Sequence, residues 1–92
     1  MNEKTDQKFA YVAQEHQKQG IQWLRLSPES LIEDGVYILL YDDLSKPALY
    51  DWWFENLSAA MDWAKNIYGV DTIDWQTAET LKRRGIQIID EL

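Results

Sequence analysis

The chain has 92 residues, of which 16 are acidic and nine basic, giving a formal net charge of −7, and it contains no cysteine. This length fits one domain, which we expect to span residues 1–92. Without cysteine there are neither disulfides nor thiolate metal sites. The acidic charge disfavours nucleic acid and anionic membranes, where cations must neutralise phosphate. It permits a basic protein partner, although solubility alone accounts for a net charge of this size.

The distribution of apolar residues predicts a cytoplasmic protein. Met1–Lys8 is polar and mixed in charge, so it lacks the apolar region of a signal peptide. The longest nearly apolar run, Val36–Tyr41, is far too short to cross a bilayer. Aromatic residues are frequent, with five Trp, five Tyr and two Phe. Such rings either fill the interior or contact a partner at the surface.

The first predicted element is a helix over Thr5–Lys18, a segment rich in Gln, Glu, Lys and Ala. One helical stripe is formed by Phe9, Val12, Ala13 and His16. Thr5 or Asp6 would cap its start, and Gly20 would follow its end. A strand through Phe9–Ala13 is the alternative.

Ile21–Leu26 is predicted to be the first strand, because its side chains alternate between two apolar faces. Leu24 and Leu26 would share one face. Ile21 and Trp23 would share the other. Ser27-Pro28-Glu29-Ser30 then marks a stop, with a short helical turn as an option.

The centre of the chain predicts an antiparallel hairpin. Val36–Tyr41 is apolar on both faces, which is typical of a strand in the middle of a sheet. A polar loop over residues 42–47 leads to a second alternating run, Ala48–Phe54. Two such runs joined by a short polar loop are typical of paired neighbouring strands.

Leu57–Tyr68 has the clearest helical pattern. Its continuous apolar stripe consists of Leu57, Ala60, Met61, Ala64, Ile67 and Tyr68. Asn56 is a good N-cap, and Gly69 is placed to end the helix in a left-handed conformation. Trp63 is expected on the flank of the stripe.

A second, shorter helix is predicted over Trp75–Arg84, capped by Asp74 and ended by Gly85. Ile86–Ile89 is predicted to be a last short strand. These elements together predict an α+β fold in which a small, mainly antiparallel sheet, with its central hairpin over residues 36–54, packs against two or three helices.

The residues that usually carry catalysis are scarce. His16 is the only histidine and there is no cysteine, so a nucleophile with a neighbouring base is hard to assemble. The four glycines are scattered and form no phosphate-binding loop. Asp42 and Asp43 lack the alternating acidic spacing of an EF-hand, so a solvated turn is favoured over a calcium site. We expect no enzyme activity, no cofactor and no metal.

The stretch from Tyr50 to Glu55 is the candidate binding site. Neighbouring residues of a strand point to opposite faces, so Trp52 and Trp53 do not enter the same core. Either helices cover both faces and bury both indoles, or one ring is left for a partner. Partner contacts are predicted from the acidic loop and the aromatic strand: Asp42, Asp43, Tyr50, Asp51, Trp52, Trp53 and Glu55.

The segment Gly35–Trp75 carries a resemblance to a known group of proteins. It runs as an apolar strand, an acidic loop, a strand with Tyr-Asp-Trp-Trp-Phe, a helix ending Ile-Tyr-Gly-Val, and then Ile-Asp-Trp. In size, charge and pattern it resembles the small acidic immunity proteins of bacterial contact-dependent inhibition and related polymorphic toxin systems. The resemblance implies a cytoplasmic protein that binds one cognate toxin domain.

Two functions follow as expectations. The first is a non-catalytic protein-binding protein, most concretely an immunity protein that neutralises a basic toxin domain. The alternative is a small regulatory or assembly subunit, for which a homodimer that pairs the aromatic strand is one option.

Overall fold

The computed structural model describes residues 7–28 and 35–89. Within these residues, five strands form one antiparallel sheet in the order β4-β3-β2-β1-β5, and two α-helices pack with it. The strands are β1 (Lys8–Tyr11), β2 (Trp23–Pro28), β3 (Val36–Tyr41), β4 (Tyr50–Phe54) and β5 (Gln76–Thr77). The helices are α1 (Leu57–Tyr68) and α2 (Ala78–Arg83), with short 3₁₀ turns at Gln14–His16 and Thr72–Asp74. The predicted α+β fold is confirmed.

The predicted central hairpin is also confirmed. β3 and β4 pair antiparallel, with Ile38 opposite Trp52. β3 also pairs with β2 on its other side, so it lies within the sheet as its two apolar faces predict. The return strand begins at Tyr50, two residues later than predicted, and Pro47 remains outside the ladder, where its missing N–H is harmless.

Helix α1 covers the first face of the sheet and has the predicted bounds. The Asn56 side chain accepts a hydrogen bond from the Ala59 N–H (2.8 Å), and Gly69 ends the helix with a φ of 67°. Ala60, Ala64 and Tyr68 are its buried residues, whereas Leu57 and Ile67 at the edges of the predicted stripe are exposed. The core beneath α1 includes Ala10, Leu24, Leu26, Val36, Ile38 and Leu40.

The second face of the sheet has its own smaller core. Phe9, Tyr41, Leu44 and Leu81 are buried there, and Ile86, Ile88 and Ile89 pack against them. Ile86–Ile89 was predicted to be a strand. It instead runs along this face without a place in the sheet, tied by a hydrogen bond from the Ile89 N–H to the Leu44 carbonyl (2.6 Å).

The prediction of a helix over Thr5–Lys18 is wrong. The alternative, a strand through Phe9–Ala13, is closer to the structure, in which β1 spans Lys8–Tyr11. β1 pairs with β2 and with β5, so Phe9 and Ala10 are buried on opposite faces of the sheet. Period-3.6 spacing and helix-favouring composition were outweighed by these non-local pairings. Residues 1–6, including the proposed caps Thr5 and Asp6, lie outside the described residues.

Two further boundaries and one face differ from the predictions. α2 begins after Thr77, whose hydroxyl accepts a hydrogen bond from the Thr80 N–H (3.2 Å), because β5 takes the preceding residues into the sheet. Ile21 packs with Leu24 rather than with Trp23, since it precedes the strand and is not bound by its alternation. Of the turn proposed at 27–30, residues 27 and 28 end β2 and the rest lies outside the described residues.

Candidate functional site

The candidate site lies on β4, which is an edge strand among the described strands of the sheet. Among the strands in residues 7–28 and 35–89, β4 pairs only with β3, so its outer side faces no described strand. Four of its five residues are exposed. The opposite end of the sheet is β5, which has only two residues and continues directly into α2.

The aromatic residues of β4 are divided between the two faces of the sheet. Tyr50 and Trp52 lie on the side of α1, and Asp51 and Trp53 lie on the other side. The exposed fractions of Tyr50, Trp52 and Trp53 are 51%, 56% and 50%. The prediction that the two indoles point to opposite faces is confirmed, and neither indole is buried in the core.

On the α1 side the rings form a continuous aromatic surface around Trp63. The centroid of the Trp63 ring lies 5.4 Å from Phe54, 5.6 Å from Tyr68 and 6.3 Å from Trp52. These distances are those of favourable offset and edge contacts. Trp63 therefore supports the exposed Trp52 ring from α1, a role that its position on the flank of the helical stripe did not reveal.

A cleft of ≈ 440 Å³ opens beside this surface. Its lining is mostly apolar and comprises Lys18, Gln19, Leu40, Tyr50, Trp52, Trp63, Ile67 and Tyr68. Burial raises the pKa of the Tyr68 hydroxyl, and the nearby Tyr50 hydroxyl raises it further. The Tyr68 hydroxyl therefore keeps its proton at neutral pH and can donate a hydrogen bond into the cleft.

On the other face Trp53 packs over Gly35. A Cβ atom at Gly35 would lie 2.2 Å from the Trp53 Nε1, well inside van der Waals contact. The missing side chain at Gly35 thus allows the indole to lie flat over the backbone at the start of β3. Trp53 as a whole remains half-exposed, beside the exposed Asp51.

The acidic residues of the candidate site are spread along β4 rather than clustered. Asp42 and Asp43 lie in the loop before the strand, and Glu55 follows its last residue. At about 3.3 Å per residue, the length of the strand separates these two acidic ends by about 17 Å. Asp51 lies between them, so negative charge accompanies the whole length of β4.

Asp43 has a structural role in its loop. Its Oδ1 accepts hydrogen bonds from the Ser45 Oγ (2.7 Å) and the Ser45 N–H (2.9 Å). These bonds, the side-chain bond first, together with Lys46 hold the pKa of Asp43 below its ordinary value of 3.8. Asp42 is half-buried. Within the described residues no group of three or more His, Cys, Asp or Glu side chains is arranged to hold a metal ion.

His16 lies away from β4, in the first 3₁₀ turn. Its ring stacks on Gly69, where an added Cβ would lie 2.6 Å from the ring. This contact ties the turn after β1 to the end of α1. His16 is therefore part of the packing of the fold.

Comparisons with family models, with curated proteins and with solved structures found no match to this chain. In the described part of the chain, no helix has the length and apolar character needed to span a bilayer. The function of this chain is therefore inferred from the geometry of β4 and its neighbours.

Proposed function

We propose that this chain is a non-catalytic protein-binding protein whose binding surface is β4. The observation that carries the proposal is the exposure of Tyr50, Trp52 and Trp53 on one five-residue strand at the end of the sheet. Large rings on a small domain bury apolar area when they pack in the core. Three half-exposed rings on one strand gain that burial only when a partner covers them.

The aromatic residues of β4 and the adjacent cleft resemble the centre of a protein–protein interface. Trp and Tyr are enriched among residues that dominate binding energy, and such residues lie in pockets or beside them. Trp52 lines the apolar cleft, and the ring of Trp63 on α1 packs against the ring of Trp52. A rigid ring loses little conformational freedom when a partner binds.

The charge of the surface supports a basic partner. Asp51 lies within β4, and Asp42, Asp43 and Glu55 lie at its two ends. The whole chain has a net charge of −7, so a basic partner would be attracted over the range of the Debye length, about 8–10 Å at physiological salt. Such attraction raises the association rate more than it deepens affinity.

Most concretely, we propose an immunity protein that acts in the bacterial cytoplasm and neutralises a basic toxin domain. The resemblance of Gly35–Trp75 to such proteins supports this proposal, as do the acidic charge and the aromatic strand. Binding alone accounts for neutralisation, because a partner that covers the active surface of a toxin needs no chemistry of its own.

The test is a growth assay with the gene immediately upstream of this one. Expression of the upstream product should arrest growth, and co-expression of this chain should restore it. Trp52→Ala should weaken the rescue, whereas Ile73→Ala should not, since Ile73 is 90% exposed and lies in the 3₁₀ turn outside β4. An upstream product that is harmless, or that this chain does not bind, would contradict the proposed function.

A further inference from the structure

The two ends of the sheet differ in how well they are protected from pairing with another chain. Exposed edge strands are usually shortened, covered, or broken by Lys, Pro or a bulge, since their free N–H and C=O groups pair readily. β5 has two residues and runs into α2. β4 has five residues, contains neither Lys nor Pro, and is covered by no strand in residues 7–28 and 35–89.

We propose that the partner adds an extended segment of its own to the outer side of β4, as a sixth strand. This inference rests on the proposed protein-binding function and specifies how the partner is recognised. Main-chain hydrogen bonds give such strand addition its affinity, and alternate side chains give it specificity. The side chains of β4 therefore determine what sequence the added strand has.

The alternation of β4 selects for apolar residues on one side of the added strand. Tyr50, Trp52 and Phe54 all point to the α1 side. Directly opposed side chains in neighbouring strands lie about 4.5–5.5 Å apart at Cβ, close enough to bury against each other. Aliphatic or aromatic residues of the added strand would thus extend the surface around Trp63 and cover the rim of the cleft.

On the other side β4 selects for basic residues. Asp51 offers a carboxylate for a cross-strand ion pair, and the exposed face of Trp53 attracts a Lys or Arg through its π-electrons. Both positions therefore favour a cation. The added strand is expected to alternate apolar and basic residues over about five positions.

The same pattern argues against a second copy of this chain as the occupant. Pairing β4 with itself around Trp52 would place Asp51 opposite Trp53 of the other copy, with no cation on either strand. It would also join two molecules of net charge −7, and like charges oppose association. A basic strand from a different protein satisfies both faces.

The experiment uses short peptides with the purified chain and needs no cognate partner. The probe is a seven-residue peptide of alternating valine and lysine, capped at both ends. A second peptide has the same composition with its valines and lysines grouped in two blocks. Isothermal titration should detect saturable binding of the alternating peptide only, and amide exchange by NMR should slow at residues 50–54.

Two matched variants test the charge selection. Asp51→Lys should weaken binding of the valine–lysine peptide by about tenfold, because an ion pair becomes a like-charge pair. It should favour an alternating valine–glutamate peptide instead. Asp62→Lys makes the same change in net charge on α1, where Asp62 lines a separate cavity with Val70 and Trp75, and should leave the preference unchanged.

The outcomes separate this inference from the proposed function. Equal binding of the two peptides, binding without protection of residues 50–54, or an unchanged preference in Asp51→Lys would overturn strand addition. A homodimer that protects β4 in the free chain would overturn the choice of occupant. The growth assay does not depend on the peptides, so rescue without peptide binding would leave a protein-binding surface that does not add a strand.

Discussion

The absence of a side chain at Gly35 makes room for the indole of Trp53. A Cβ at this position would lie 2.2 Å from the Trp53 Nε1. Because the indole is a half-exposed side chain, Gly35→Ala should displace the ring rather than the backbone. We expect a red shift of tryptophan emission and a loss of stability of no more than about 1 kcal/mol.

The control for this prediction is the same substitution in a Trp53→Phe background, where the indole is already absent. No further spectral shift is expected there. A shift that persists in this background would mean that another tryptophan reports the change and that the contact is not the cause.

The hydrogen bonds of Asp43 give a second prediction for a single residue. Since the Ser45 Oγ and N–H stabilise its carboxylate, the folded-state pKa of Asp43 lies below 3.8. Its contribution to stability is therefore present above that ordinary value and is lost as the pH falls through the lowered pKa. Ser45→Ala should raise the pKa of Asp43 towards 3.8, as measured by a carboxyl-carbon NMR titration.

Ser58→Ala is the control for the same titration, because Ser58 lies in α1 and not in the loop of Asp43. It should leave the pKa of Asp43 in place. An equal rise of the Asp43 pKa in both variants, or no rise in Ser45→Ala, would mean that the assigned hydrogen bonds do not account for the lowered pKa.

The packing of helix α1 on the sheet depends on a narrow strip of small side chains. Ala60 and Ala64 are fully buried against the sheet, whereas Met61, which the sequence places at the middle of the stripe, is only half-buried. Ala64→Asp would put an unpaired charge into this contact and should cost several kcal/mol, enough to unfold the domain. Thermal unfolding followed by circular dichroism checks it.

Asn66→Asp is the matched control, since it adds the same carboxylate on the exposed side of α1. Its melting temperature should stay close to that of the parent chain. Equal destabilisation by both substitutions would show that α1 packs on a different face from the one described.

The elements that could be predicted from the sequence are those with local signals. α1 has an N-cap at Asn56, a left-handed end at Gly69 and a regular apolar stripe between them. All of these signals lie within one short segment of the sequence. β1 has no such signals, because its two partners are β2 and β5, the latter more than 60 residues away. Non-local pairing of this kind is invisible to periodicity within one segment.

The candidate site was predictable in part for the same reason. Alternation along Tyr50–Phe54 places Trp52 and Trp53 on opposite faces whatever surrounds them. The packing of the helices and the C-terminal segment decides whether those faces are covered. No local sequence pattern predicts that packing. The contribution of Trp63, and the outer side of β4 that faces no described strand, likewise follow only from the assembled sheet.

The charge of the molecule should control the rate at which a partner binds. Asp42→Asn with Asp43→Asn removes two charges beside β4 and keeps oxygen acceptors in the loop. Association with the upstream product should slow, and the effect should be larger at low salt, since screening shortens the range of the attraction. Stopped-flow binding over a salt series measures it.

The matched control removes two charges elsewhere, through Asp62→Asn with Glu79→Gln on α1 and α2. Glu79 forms an exposed ion pair with Arg83 (3.1 Å) that contributes little to stability. This variant should slow association less than the loop variant. An equal effect would mean that only net charge matters and that the acidic loop is not near the partner.

Hydrogen–deuterium exchange of this chain, with and without the upstream product, tests whether β4 is the binding surface. Binding at β4 predicts slower amide exchange at residues 50–54, with smaller changes in the loop before them. α2, which follows β5 at the opposite edge of the sheet, should exchange as in the free chain. Protection confined to α2 and its neighbours, with β4 unchanged, would contradict binding at β4.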